Sequence, residues 1–361
     1  MKGASESAPL ESKLGRLAAR YDARSDTNDV RFALSSPSHN FDWQWESTGS
    51  PEQYFIASTT KLYVTALVMQ LRNESSVDLD VPVVTYVGDS LMSGIHVLNG
   101  VDSSGVITLR QLLSHTSGIA DYFEQRRGDG SSQITHALRE DFSWTLDDVL
   151  RITRSELIPR FAPGTPGKAF YSDTNFQILG AVIEAVTGCS YEEALFERIL
   201  SPLGLSDTYP FTRETIDRYD SVAAMLHGAC LVRIPKAMAS VRADGGMVST
   251  AGDGLVFLRA FMRGHLFPVE YLDEMQQRWT PIFPPLEYGV GLMRFALPRY
   301  YTIFRKVPFM VGHSGASGAV LFYVPKLDLY VSGTINQIKK RSLSYNLMVR
   351  MVLSCEDAWQ A

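Results

Sequence analysis

Lys61 follows Ser58 by three residues in FIASTTKLYVTALVMQL, Phe55 to Leu71, where it is the only charged side chain in an apolar and hydroxyl-rich run. On a helix this spacing places both side chains on one face within reach of each other. In the first turn, Ser58 also feels the positive end of the helix dipole. A neighbouring amine can make a serine nucleophilic without histidine, by removing the hydroxyl proton or stabilising its loss. A capping serine followed by a snorkelling lysine has the same spacing, so the pair alone does not establish catalysis.

Two other stretches offer matching chemistry. FYSDTNF places Tyr171 and Asp173 between a PGTPG loop and an apolar helix, where side chains can face a cleft. A tyrosine beside a cation can ionise below its usual pKa of about 10 and act as a general base. The plainer reading is a packed loop tyrosine, with Asp173 or Thr174 capping the helix. In VGHSGASGAVLFY, glycines flank His313, Ser314 and Gly315 at the entry to an apolar strand. Such glycines allow close backbone approach, and a backbone N–H there can face a developing oxyanion. Taken alone, it is also an ordinary glycine-rich turn.

These residues need a scaffold. The 361 residues suffice for one large domain or two closely joined ones, with ample material for a core. Lys plus Arg number 34 against 39 Asp plus Glu, and no basic cluster exists to track phosphates, so nucleic acid is not an expected partner. Cys189, Cys230 and Cys355 are far apart and lack ligand spacing, which predicts free, buried packing thiols. No segment offers about 18 uninterrupted apolar residues, and the N-terminus lacks an apolar signal core. The expectation is a soluble, cytoplasmic protein that does not engage a membrane, or a periplasmic or secreted one if a signal peptide has been removed. Oligomeric state is left open.

LESKLGRLAARYDA has helical periodicity, and VRFALSSPSHNFDWQWES alternates on both sides of a turn, so the chain opens helix, strand, strand. A helix is expected from Ser58 to about Asn73, followed by helical pieces such as TLDDVLRITRSEL, NFQILGAVIEAVTG and SYEEALFERIL. After about residue 240 the pattern turns to a short strand and helix in GGMVSTAGDGLVFLRAFM. Two strands then surround a Pro-Lys-Leu-Asp turn, and a last helix covers RSLSYNLMVRMVLSC. This predicts a discontinuous α/β domain, 1–75 with 240–361, a mainly helical domain over 76–239, and an active site between them. No internal repeat is present.

In chain order, Ser-x-x-Lys, Tyr-Ser-Asp and His-Ser-Gly resemble the three motifs of the serine β-lactamase and penicillin-binding-protein superfamily. The resemblance is closest to the branch holding class C β-lactamases, D-alanyl-D-alanine carboxypeptidases, D-aminopeptidases and family VIII esterases. It continues through ITLRQLLSHTSGIADYF, YSDTNFQILGAVIEAVTG, ILSPLGLSDTY, YGVGLM and GHSGASGAVLFYVP. It implies an α/β (α+β) fold of the β-lactamase/transpeptidase type, an antiparallel sheet flanked by helices with a mostly helical insertion. It also implies Ser58 as the acylated nucleophile and Lys61 as its electrostatic and proton-relay partner. Tyr171, kept partly ionised by Lys61, would be the base. His313, Ser314 and Gly315 would form the opposite wall, with the N–H groups of Ser58 and Ala316 as oxyanion donors. His115 and Ser117 in LSHTSG look like a dyad, but the resemblance makes that stretch structural.

Two departures shape the expected activity. Asp173 stands where class C β-lactamases have asparagine; a carboxylate only accepts hydrogen bonds, so Asp173 should hold Lys61 as a cation. His313 stands where most β-lactamases have lysine, and a histidine titrating near neutrality is a weaker anchor for an anion. The first makes Lys61 a poor base and passes that role to Tyr171; the second shifts the expectation towards a serine hydrolase of small esters, amides or D-amino-acid peptide bonds. The alternatives are an acyltransferase using the same acyl-enzyme and an inactive scaffold of the same fold. No metal or organic cofactor is implied. Tyr288 and Tyr122 are candidate cleft-wall residues, although the DYFEQRRGDG stretch around Tyr122 also reads as exposed loop. The GDSL tetrapeptide, Gly88 to Leu91, lacks the downstream Asp-x-x-His of the esterases it suggests, and no G-x-S-x-G elbow occurs.

Overall fold

The computed structural model describes residues 4–298 and 305–360. Its eight-stranded sheet contains β1 (Arg31–Ser36), β2 (Phe41–Glu46), β3 (Thr280–Phe283), β4 (Leu286–Tyr288), β5 (Met293–Phe295), β6 (Met310–Ser314), β7 (Val320–Val324) and β8 (Leu329–Thr334). The spatial order is β3-β4-β5-β6-β7-β8-β1-β2, and the pairs are antiparallel. Strands from both parts of the sequence therefore meet at the β8–β1 pair. All of β1 is buried, whereas β2 after the buried Phe41 alternates between exposed and half-buried positions as an edge strand does.

The hairpin turns follow from local chemistry. Asn40 ends the Pro37–His39 turn at φ 47°, and Asp328 ends the Pro325–Leu327 turn at φ 44°. Both are short polar residues that tolerate the left-handed region. The β3–β4 hairpin lies in PIFPPLEYGVGL, which the sequence marked only as cleft wall. Its prolines obscure the strand alternation, and they are tolerated because β3 is an edge strand with an irregular register between Pro281 and Phe283.

Helices cover the sheet. On one face lie α1 (Ala4–Asp22) and the C-terminal helix Ser342–Gln360; Leu10, Leu14 and Ala18 form a buried stripe beside Leu347, Met351 and Cys355. The other face carries a helix over Ala251–Met262, packed on β1, β7 and β8. Beyond it, α2 (Thr60–Asn73) and α3 (Asp173–Thr187) pack together in the largest apolar cluster. Both are apolar around most of their circumference and are buried accordingly. The α2 helix begins at Thr60, and Ser58 lies in the 3₁₀ turn Ala57–Thr59 that leads into it.

The cysteines differ from expectation. Cys355 is buried, but Cys189 is only partly covered and Cys230 is exposed on a short hairpin. Among the described residues, no helix is long and apolar enough to cross a membrane.

Candidate active site

The turn before α2 presents Ser58. Ala57 adopts φ 45°, an unusual conformation for a residue with a Cβ, immediately ahead of it. The loop then tightens into helix, bringing Lys61 back beneath the serine. Lys61 Nζ lies 3.2 Å from Ser58 Oγ and 2.6 Å from Asp173 Oδ1, and it also donates to the carbonyl of Asp244. The lysine is fully buried. Its three donors therefore meet one hydroxyl, one carboxylate and one carbonyl, which satisfies the ammonium.

Tyr171 closes the other side of Ser58, its hydroxyl near enough for the serine to act on its ionisation. Its ring is 4.4 Å from His115, centroid to centroid, and Lys61 Nζ lies 5.1 Å from its centroid. The tyrosine loop is fixed from behind: Ser172 N–H donates to His115 Nδ1 at 3.1 Å, and Ser117 donates to Asn175 at 2.8 Å. His115 and Ser117 thus tie the LSHTSG segment to the start of α3, and among the described residues neither is hydrogen-bonded to Ser58.

The strand β6 supplies the facing wall. A Cβ on Gly315 would lie 2.3 Å from the Ile56 carbonyl oxygen and 3.0 Å from Ala57 Cβ, so only glycine permits this approach to the serine turn. The approach brings Ala316 and Ser58 onto the wall of one cavity. Neither residue's N–H donates to a carbonyl among the described residues, which leaves both for an incoming oxygen.

His313 does not line this cavity and is fully buried. It accepts the Tyr288 hydroxyl at Nε2, 3.0 Å away, and donates from Nδ1 to the Ser314 carbonyl at 2.8 Å. Burial, reinforced by the charge of Lys61, pushes its pKa down to about 3. The expected titration near neutrality is therefore corrected: the ring is neutral and cannot anchor an anion. Ser314 accepts from Tyr345 of the C-terminal helix and points towards Met293.

The base requires a second correction. Burial, followed by the negative charge of Asp173, raises Tyr171 well above the usual tyrosine range, even though the side chain keeps some exposure. Lys61 does not keep it partly ionised, because the ammonium is already spent on Asp173 and Asp244 and lies over the ring. Burial opposes the charge on Lys61, but those two carboxylates outweigh it and raise the lysine pKa. At neutral pH the resting pair is ammonium and phenol.

Several residues had no readable signal in the sequence. Asp244 accepts from Tyr122 at 2.8 Å and Gln177 at 3.1 Å. Tyr122 is fully buried, which excludes the exposed-loop reading, while its neighbour Phe123 lines the cavity. Asp121 accepts from the N–H groups of Phe123, Glu124 and Asp173. Burial, then the charge of Asp173, pushes Asp121 up to about 7, and burial raises Asp244 well above the carboxylate range. An aspartate before two glycines, as in RADGGM, marks a tight turn and nothing more specific.

The cavity itself measures about 60 Å³, with Ser58, Asp173, Asp244 and Ala316 set among apolar side chains such as Phe123 and Trp144. Ile134, Leu138 and Ile338 separate it from a wider cleft of about 570 Å³. An apolar slot with a few convergent polar groups is the usual form of a small-molecule site. No group of side chains suited to a metal ion occurs among the described residues.

Comparison with known proteins places the chain in a family. A family model described as beta-lactamase matches residues 48–346. A putative penicillin-binding protein, PbpX, of Bacillus subtilis is 26% identical over 240 residues, 66% of this chain and 52% of that protein. Monacolin J acid methylbutanoyltransferase of Aspergillus terreus is 30% identical over 164 residues, 42% of this chain and 36% of the transferase. The chain thus spans about half or less of these curated relatives. A crystal structure of a D-stereospecific amidohydrolase from Streptomyces sp. superposes with a TM-score of 0.70 at 25% identity, covering 94% of this chain and 95% of that one.

Proposed function

The chain belongs to the beta-lactamase family, and from that premise we propose that it is a serine hydrolase working through an acyl-Ser58 intermediate. Its substrates are small esters, amides or D-amino-acid peptide bonds. The supporting observation is the Ser58 hydroxyl held between Lys61 Nζ, at 3.2 Å, and the Tyr171 hydroxyl, on a cavity wall that also carries two open N–H groups.

The steps follow from proton positions. Lys61 and Tyr171 both hold their protons at neutral pH, so one proton must first leave this pair to solvent. The pair then takes the Ser58 proton as Oγ bonds to the acyl carbon, while the Ser58 and Ala316 N–H groups hold the oxyanion. The proton passes to the leaving alkoxide or amine as its bond to carbon breaks. Water then attacks the acyl-enzyme, gives its proton to the same pair, and Ser58 recovers a proton as the acid departs. Neutral, buried His313 supplies no positive charge for the carboxylate of a β-lactam, which favours esters and amides.

Acyl transfer is a second reading, favoured by two observations. The slot is largely apolar, and one curated relative is a methylbutanoyltransferase. An acceptor amine or alcohol would replace water in the second step.

The test is a panel of p-nitrophenyl esters, D- and L-aminoacyl amides and nitrocefin, run on wild type and Ser58→Ala. A loss of at least about 10³-fold is expected for the variant on its best substrate. Equal rates for both proteins on every substrate would refute the assignment. Adding an acceptor amine and measuring product partition separates transfer from hydrolysis.

A further inference from the structure

The ring of Tyr171 meets neighbours of two kinds. His115, Tyr288, His313 and the Lys61 ammonium approach it from the protein interior, and all four are buried. The other aromatic neighbour among the described residues is Phe283, whose ring centroid lies 5.6 Å from that of Tyr171 at an interplanar angle of 48°, as aromatic pairs do. Phe283 is 50% exposed and ends β3, the outermost strand on its side of the sheet. A single exposed phenylalanine is ordinary on a protein surface. This one differs because it stands on the solvent side of the tyrosine beside Ser58.

The route of the proton says what passes there. Lys61 is buried beneath Ser58 and donates to Asp173 and the Asp244 carbonyl, so it reaches a leaving atom only through Ser58 or Tyr171. Tyr171 keeps some exposure. The proton that frees the leaving alkoxide or amine therefore arrives from the Tyr171 side, and the leaving atom must come within hydrogen-bond reach of that hydroxyl. The acyl part then takes the slot, whose lining includes Phe123 and Trp144 but neither Tyr171 nor Phe283. In the second step an acceptor alcohol or amine retraces this path. It gives its proton to the Lys61–Tyr171 pair as it bonds to the acyl carbon, and the acyl–Oγ bond breaks with return of a proton to Ser58. Leaving group and acceptor thus share one position, next to Tyr171 and against Phe283.

We propose that Phe283 is the docking ring for the leaving group and for the acyl acceptor, and that it selects alcohols and amines carrying an aromatic or other flat apolar body a few bonds from the reacting oxygen or nitrogen. This deepens the acyl-Ser58 reading and rests on it. A substrate ring laid on Phe283 covers apolar surface that the free protein leaves in water, and the gain is open equally to the ester that acylates Ser58 and to the acceptor that deacylates it. A ring held there also screens Tyr171 from bulk water, so an aromatic acceptor competes with hydrolysis better than a small one.

Hydrolysis of 3-phenylpropyl butanoate and propyl butanoate tests this, because the two esters share their acyl group and their leaving alcohols differ only by a distant ring. In wild type kcat/KM should favour the phenylpropyl ester by about tenfold or more, and in Phe283→Ala by less than about threefold, while Phe283→Tyr keeps the preference. The ratio is taken within each protein, so a general loss of activity cancels. If the alanine variant does not fold, Phe283→Leu decides, with the preference reduced about threefold or more. Equal kcat/KM for the two esters in wild type, no turnover of either while p-nitrophenyl esters are hydrolysed, or an unchanged preference in the folded variant overturns the proposal and leaves the hydrolase reading standing. No Ser58-dependent turnover of any ester removes the hydrolase reading, and this proposal with it.

Discussion

Lys61 carries two demands that pull against each other. The fold holds it as a cation through Asp173 and Asp244, yet Ser58 reacts only after a proton has left the Lys61–Tyr171 pair. Because both groups are raised above their usual values, kcat/KM for a neutral activated ester should climb from pH 6 to pH 9 without reaching a plateau. Asp173→Asn removes the carboxylate that raises Lys61, so the rising limb should move to lower pH. A pH–rate profile measured on both proteins with the same ester checks this. An unmoved limb would mean that Asp173 does not set the protonation of the pair. At this scale the sequence was informative about partners along one helix turn and silent about pKa. Ser58 and Lys61 could be paired from spacing, but the direction of the Tyr171 shift depended on burial first and on the charge of Asp173 second, and burial is not written in the spacing.

Three elements must meet for the site to exist: the 3₁₀ turn before α2, the start of α3, and β6. The first two are tied through Lys61 and Asp173, and the third depends on the absence of a side chain at residue 315. Gly315→Ala places a Cβ 2.3 Å from the Ile56 carbonyl oxygen and forces the turn and the strand apart. Overpacking of this kind costs about 1–3 kcal/mol. Displacing an oxyanion donor costs roughly 10²-fold or more in kcat. The variant should therefore keep a cooperative unfolding transition, slightly weakened in urea, while losing most of its turnover. Full activity in Gly315→Ala would show that this close approach does not place the Ala316 N–H. The glycines of VGHSGASG were readable as a sign of close approach, but their partner, the Ile56–Ala57 backbone, was not. The β3–β4 hairpin was missed as an element for a different reason, since a proline-rich edge strand lacks the alternation by which strands are recognised.

Across the whole molecule, the fold buries ionisable groups of both kinds, and their effects on stability run in opposite directions with pH. His313 has a folded pKa of about 3 against about 6.5 in an unfolded chain, so the unfolded state gains a proton first as pH falls. Its contribution is therefore present above pH 6.5 and is lost on acidification, by roughly 3 kcal/mol between pH 6.5 and pH 4. His115 acts with the same sign. Asp121, raised to about 7, acts with the opposite sign: its folded form keeps a proton that the unfolded chain releases above about pH 4. Urea unfolding of wild type and His313→Gln across this range separates the contributions. The stability of wild type relative to the variant should fall by roughly 3 kcal/mol from pH 6.5 to pH 4, and a constant difference would mean that His313 is not held neutral by the fold.

What the sequence alone determined is local or pattern-borne. Hydrophobic periodicity marked the terminal helices and the β1–β2 and β7–β8 hairpins, because burial on one face repeats with the period of the element. A three-residue interval placed Lys61 under Ser58, because helix geometry fixes that neighbourhood regardless of the rest of the chain. Only the tertiary structure decided what those groups can do. Tyr171 reaches Ser58 across 113 residues of sequence, His313 turns inward to Tyr288, and Asp244 joins the lysine from a turn with no distinguishing pattern. Desolvation and charge then set which of them hold protons, and both depend on distances in space that spacing along the chain does not encode.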